Sequence, residues 1–123
     1  MGTEVVARAK HVPISARKVR RVIDEVRGLS AEEALEVLHF MPHSAARPVA
    51  KLIRSAIANA EQNFEIPRDE LYVSRIVADE GPGVMPGKGL RPRFGGRGRW
   101  RPIRKRSSHI TVVLEEEEVS EEE

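Results

Sequence analysis

The sequence predicts an α+β fold: three helices packed on a small three-stranded antiparallel sheet, with a long extended β-hairpin arm. Three observations predict it. Residues 4–12 alternate in the manner of a half-buried strand, and Leu71 to Asp79 and Ser108 to Leu114 read as two further strands, rich in Ile, Thr and Val. Apolar residues recur with helical period in three segments between the first two of those strands. Between the last two strands, residues 80–107 hold seven Gly, four Pro and nine basic residues and cannot form a core. A length of 123 residues suits one domain. The expected boundaries are a single domain 1–114, with a globular body 1–80 and 107–114 and an arm 81–106, then a disordered acidic tail 115–123.

In the first strand Val5, Ala7 and Ala9 share one face, with Val6, Arg8, Lys10 and Val12 on the other, and Pro13 ends it. Ser15 is a fitting N-cap for a helix expected to run to about Arg27, with Gly28 as the residue after it. Its apolar stripe is Val19, Val22, Ile23 and Val26, and Arg17, Arg20 and Arg21 are expected together on the opposite side. Ser30 and Glu33 form a capping box for a second helix, with Ala31, Leu35 and Leu38 inward and Pro42 stopping it. A third helix is expected from near Ser44, with Pro48 tolerated at its start and a stripe of Val49, Leu52, Ile53, Ala56, Ile57 and Ala60. It gives out at Asn63. Leu71 to Asp79 and Ser108 to Leu114 read as the second and third strands.

Charge must be read by segment. Residues 1–80 hold 12 basic and 12 acidic side chains, residues 81–114 hold nine basic and no acidic ones, and residues 115–123 hold seven Glu. Arginine outnumbers lysine 16 to 5, a bias that suits phosphate because the guanidinium makes paired bonds to an oxyanion. There is no Cys, which excludes disulfide scaffolds, thiolate zinc sites and cysteine nucleophiles. The first residues lack the pattern of a signal peptide, and no apolar run reaches the ~20 residues of a membrane span. A cytoplasmic protein without membrane contact is expected.

The arm carries Lys88, Arg91, Arg93, Arg97, Arg99, Arg101, Arg104, Lys105 and Arg106. As a simple hairpin it would have about 14 residues a side and reach roughly 45 Å. With so little apolar content and so much like charge, it is expected to order only against a surface that neutralises it. Nucleic acid, bound through phosphates with release of counterions, is such a surface. A second basic group, Arg8, Lys10, Arg17, Lys18, Arg20 and Arg21, reads as a further phosphate contact on the body. Three other readings of the arm remain open: a solvated basic linker, the Gly/Arg-rich segment of a free RNA chaperone, and a dock for an acidic protein with the Glu tail as competitor.

Little points to catalysis. Gly87-Lys88 fails as a phosphate loop, because Pro82 stands where glycine is needed and Gly89 where Ser or Thr is needed. His39 and His43 have a helical metal-pair spacing, but Pro42 intervenes and no third ligand is near. His11 and His109 read as packing or RNA-facing residues. Asp79-Glu80 reads as a strand-end solubiliser or a partner for the arm. No enzyme, cofactor or metal is expected.

Five co-linear blocks carry a family resemblance. They are Ser15-Ala16-Arg17-Lys18-Val19-Arg20; Gly28 and the Ala34 helix; Ala50-Lys51-Leu52 with Ser55-Ala56-Ile57-Ala58-Asn59-Ala60; Val77-Ala78-Asp79-Glu80-Gly81-Pro82; and Lys105-Arg106-Ser107-Ser108-His109-Ile110-Thr111-Val112-Val113. In this order they resemble the twenty-second large-subunit ribosomal protein family over residues 5 to about 114. The resemblance implies a structural constituent of the large ribosomal subunit that binds 23S-type rRNA, clamps several rRNA domains during assembly and lines the peptide exit tunnel with its hairpin. It implies neighbouring ribosomal proteins and the nascent peptide as further partners. The tunnel-lining tip is placed at Met85, Pro86, Gly87, Lys88, Gly89, Leu90 and Arg91. The chain departs from the family pattern in a longer, glycine-rich arm containing Phe94 and Trp100, and in its Glu-rich tail.

Overall fold

The structure, a computed structural model, describes residues 3–81, 90–94, 100–104 and 106–117. In chain order they form β1 (Glu4–Val12), α1 (Ala16–Ile23), α2 (Ala31–Phe40), α3 (Ala46–Asn63), a 3-10 turn (Arg68–Glu70), β2 (Leu71–Glu80), β3 (Leu90–Phe94), β4 (Trp100–Arg104) and β5 (Ser108–Glu116). One antiparallel sheet has the order β1-β5-β2, so β5 is central and the other two are edges. β3 and β4 form a separate two-stranded ladder. The expected α+β architecture of three helices on a three-stranded sheet is thus observed.

Strand alternation decides where the core sits. Val5, Val73, Ile76, Ile110, Val112 and Leu114 point to the face the helices cover, and all are buried. Val19, Val22 and Ile23 of α1 and Val49, Ile53, Ala56 and Ile57 of α3 complete one continuous cluster with them. α3 packs on β1 and β5, α1 on β2, and α2 on α3. Ser30 Oγ accepts the Glu33 N–H at 3.2 Å and starts α2, while the extended backbone of Met41 before Pro42 ends it.

Four expectations about the body are corrected. First, a β-bulge between Ala9 and Val12, with His11 at φ 58°, inserts one residue into β1 and reverses which side the chain presents. Val12, expected on the basic outer face, is therefore buried. Second, α1 ends at Ile23 rather than near Arg27. The N–H groups of Glu25 and Val26 bond three residues back, to Val22 and Ile23, and tighten the chain into a turn that still buries Val26. Third, the buried stripe of α2 also includes Ala34, beside Ala31 and Leu38, while Leu35, expected inward, packs half-buried against the same core. Fourth, β5 runs two residues into the Glu run, where Glu115 pairs with Glu4 and Tyr72 and the Tyr72 hydroxyl donates to its carboxylate at 3.4 Å. Residues 118–123 of the tail lie outside the described residues.

The arm is not the symmetric hairpin expected. The β2–β5 ladder closes at Glu80 opposite Ser108, with Gly81 N–H donating to the Ser107 carbonyl at 3.0 Å. In the distal ladder Leu90 stands opposite Arg104 and Phe94 opposite Trp100. Residues 81–89 therefore separate the two ladders on one side, and residues 105–107 alone on the other. Pro82 and Pro86 fall in the longer segment and have no N–H to give to a ladder. The distal ladder is five residues a side, about 17 Å.

Candidate nucleic-acid interface

The six body cations do not form one group. Arg8 and Lys10 stand on the helix-free face of β1, exposed, because Ala7 and Ala9 between and beside them face inward. Arg17, Lys18 and Arg21 are exposed on α1, which packs on the opposite edge strand, β2. Arg20, on the same helix, also bonds the fold. Its Nε and Nη2 donate to the Ala78 carbonyl at 3.1 and 2.9 Å, along the outer edge of β2.

Arg27, which sequence reasoning passed over, does the same two residues earlier, with Nε and Nη2 on the Ile76 carbonyl at 3.2 and 3.1 Å and Nη1 on Asp24. Further along the same edge, the Gly28 N–H donates to the Val73 carbonyl at 3.0 Å and the Val73 N–H to the Leu29 carbonyl at 2.8 Å. Gly28 reaches this position at φ +79°, which glycine adopts without a side-chain clash. An edge strand with unanswered carbonyls invites pairing with another chain. Here two guanidinium groups and one loop occupy that edge.

At the root of the arm, Ser15, Ala16 and Arg17 of the body and Glu80, Gly81, Arg106 and Ser107 line a cleft of about 470 Å3. The fold thus brings Arg17 and Arg106 from distant parts of the chain to one cleft, where Glu80 is the acidic residue. Gly81 is fitted to this place: a Cβ there would run into the Ser107 side chain and stand 3.3 Å from the Ser107 carbonyl carbon.

Along the arm, Arg91 and Arg93 lie in β3 and Arg101 and Arg104 in β4, with Arg93 directly opposite Arg101. Leu90 and Arg91, expected at the tip, are the first two residues of β3. Lys88, Arg97, Arg99, Lys105 and Met85 to Gly89 lie outside the described residues.

The opposite end of the sheet is acidic: Glu33, Glu115, Glu116 and Glu117 surround Tyr72 there. β5 links the two ends over about 30 Å. On its outer side His11 and His109 meet edge to face at 4.9 Å, and the His11 N–H donates to His109 Nδ1 at 3.1 Å. Among the described residues no three His, Asp or Glu gather as a metal site, and no helix is long and apolar enough to cross a membrane. Sequence reasoning also missed Arg47, Lys51 and Arg54, exposed on α3; their signal was the i, i+4, i+7 spacing, obscured by the apolar stripe used to find the helix.

Exposed cations thus stand on β1, α1 and α3 of the body, with further arginines on the β3–β4 ladder. The class these features define is a small α+β protein with clustered surface cations. The model of the ribosomal protein L22p/L17e family matches residues 7–115. The chain is 47% identical over 116 residues to large ribosomal subunit protein uL22 of Pediococcus pentosaceus, covering 94% of each. It is 49% identical over 108 residues to uL22 of Desulfitobacterium hafniense, covering 88% of this chain and 90% of that protein. The chain belongs to the ribosomal protein L22p/L17e family. It is a non-enzymatic, cytoplasmic constituent of the large ribosomal subunit, with ribosomal RNA and ribosomal proteins as partners.

Proposed function

We propose that the protein clamps large-subunit rRNA during assembly, with the body on one stretch and the arm on another, and that the arm lines the exit tunnel and meets the nascent peptide. Arg8 and Lys10 hold phosphates on one side of the body, and Arg17, Lys18 and Arg21 on the other. Lys88, Arg91, Arg93, Arg97, Arg99, Arg101, Arg104, Lys105 and Arg106 hold the arm. Arg20 acts within the body rather than on RNA.

The observation that carries this reading is the root cleft, where Arg17 of the body and Arg106 of the arm converge beside the Gly81–Ser107 bond. RNA entering there is gripped by both parts at once. The register supports the same partner, because a ladder that sets arginine opposite arginine calls for counter-charge. The acidic far end is repelled by RNA, so the molecule approaches arm-end first.

The test is a salt titration of binding to a large-subunit rRNA transcript and to unrelated RNA of equal length. It compares the wild-type chain with a full-length variant in which Arg91, Arg93, Arg101 and Arg104 are changed to Gln. A preference for the large-subunit transcript that survives added salt and falls in the variant is expected. Equal binding to both RNAs, lost together as salt rises, would support a free chaperone instead. For the tunnel, photo-crosslinkers at Gly89 and at Gly98 in assembled ribosomes should reach a stalled nascent chain from at least one position. Crosslinks to rRNA alone from both would remove the tunnel role.

A further inference from the structure

We propose that the groove between the end of α2 and the first half of α3 is a separate RNA-binding site, taking an unpaired stretch with its phosphates on Arg47, Lys51 and Arg54 and a base against Phe40. This deepens the rRNA-binding reading above and rests on it.

The cationic track comes first. Arg47, Lys51 and Arg54 recur at helical spacing on one exposed side of α3, over about 10 Å of helix. α3 carries no acid before Glu61, and that acid faces Arg68 at the other end of the helix. All three cations line a groove of about 930 Å3, and none of the side chains around it is acidic. That volume is near the top of the ~300–1,000 Å3 range of concave ligand sites, which suits a piece of chain better than a single ion. The groove shares no lining residue with the root cleft, so the arm and α1 do not explain it.

The ring comes second. Phe40 ends α2, next to the groove residue Met41, and is 82% exposed. The fold does not use it, since a ring so exposed buries little against the core. His39 meets it edge to face at 5.0 Å, which leaves a face of the phenyl ring open for stacking. Cations alone would suit an acidic peptide equally well. A flat, open ring beside a mainly arginine track is what an unpaired nucleotide strand requires, because every base has a face to stack and every linkage a phosphate to hold.

The test uses the full chain and a large-subunit rRNA transcript. Phe40→Ala should weaken binding about tenfold, and Phe40→Trp should restore it. The triple variant Arg47→Gln, Lys51→Gln, Arg54→Gln should lower the slope of log K against log salt by about two, at ~0.7 per phosphate on a single strand. The chain has no cysteine, so Ser44→Cys in the groove can carry a tethered iron–EDTA probe. It should cut one unpaired rRNA segment, and adding the triple substitution should abolish that cut. Circular dichroism establishes that the variants are folded. If the groove variants bind with wild-type affinity and slope, the proposal is overturned. It is equally overturned if they keep RNA binding but lose a ribosomal-protein neighbour in reconstituted subunits, which would make the groove a dock for acidic protein. A wild-type chain with no preference for the transcript would instead sink the rRNA reading and the groove with it.

Discussion

Arg20 lays two donors, Nε and Nη2, on the single carbonyl oxygen of Ala78, 58 residues further along the chain. The contact ties α1 to the free edge of β2. Arg20→Ala should destabilise the fold by about 1–2 kcal/mol, since charge-assisted bonds to a carbonyl are lost and an edge carbonyl is uncovered. Arg20→Lys should recover only part of this, because an ammonium lacks the planar pair of donors. Arg21→Ala should stay within about 0.5 kcal/mol of wild type. Urea unfolding of the three variants checks the ranking.

The same division of labour should appear in RNA binding. Arg17→Ala and Arg21→Ala should each lower the salt slope by about one, whereas Arg20→Ala should leave the slope unchanged while the protein is folded. A slope lowered equally by all three would show that Arg20 also reaches phosphate.

Gly81→Ala should cost about 1–2 kcal/mol, because the new methyl group collides with the Ser107 side chain and crowds its carbonyl carbon. Adding Ser107→Ala should recover most of that loss, as it removes the nearest atom. A double-mutant cycle by thermal unfolding measures the coupling. Additive losses would place the strain in the backbone of the rung instead.

Ser108 is wholly buried, and its Oγ has no hydrogen-bond partner among the described residues. A hydroxyl buried without a partner carries its desolvation cost uncompensated. Ser108→Ala should therefore raise stability by about 1 kcal/mol and the Tm by a few degrees. A fall in Tm would mean that the hydroxyl is bonded in solution.

Much of the body was legible because periodicity and punctuation agree there: Ser30 before α2, Pro42 after it, and the alternation of β5. The missed features are those that a single residue decides. Nothing in Ala9-Lys10-His11-Val12 announces the bulge, since its driving force is the burial of Val12 against helices that come later in the chain. Arg20 and Arg27 read as surface charges because their acceptors are backbone carbonyls, and carbonyls leave no mark in a sequence. The arm's asymmetry follows from where the two ladders stop, not from the hairpin's total length. Of the proposed site, the charge census showed the arm but not the convergence of Arg17 with Arg106.

The strand order β1-β5-β2 has a consequence for the timing of folding. β5 follows every other described element, yet it is the only strand that touches both of the others. Synthesis proceeds from the N-terminus. Both edge strands and the arm are therefore made before the strand that joins them, and β1 must wait across nearly the whole chain for its partner. Until then the helices have no complete sheet to pack against, and the arm hangs from a half-built support. The sheet is closed by its last-made part, so a chain released short of β5 cannot present the arm from a finished root.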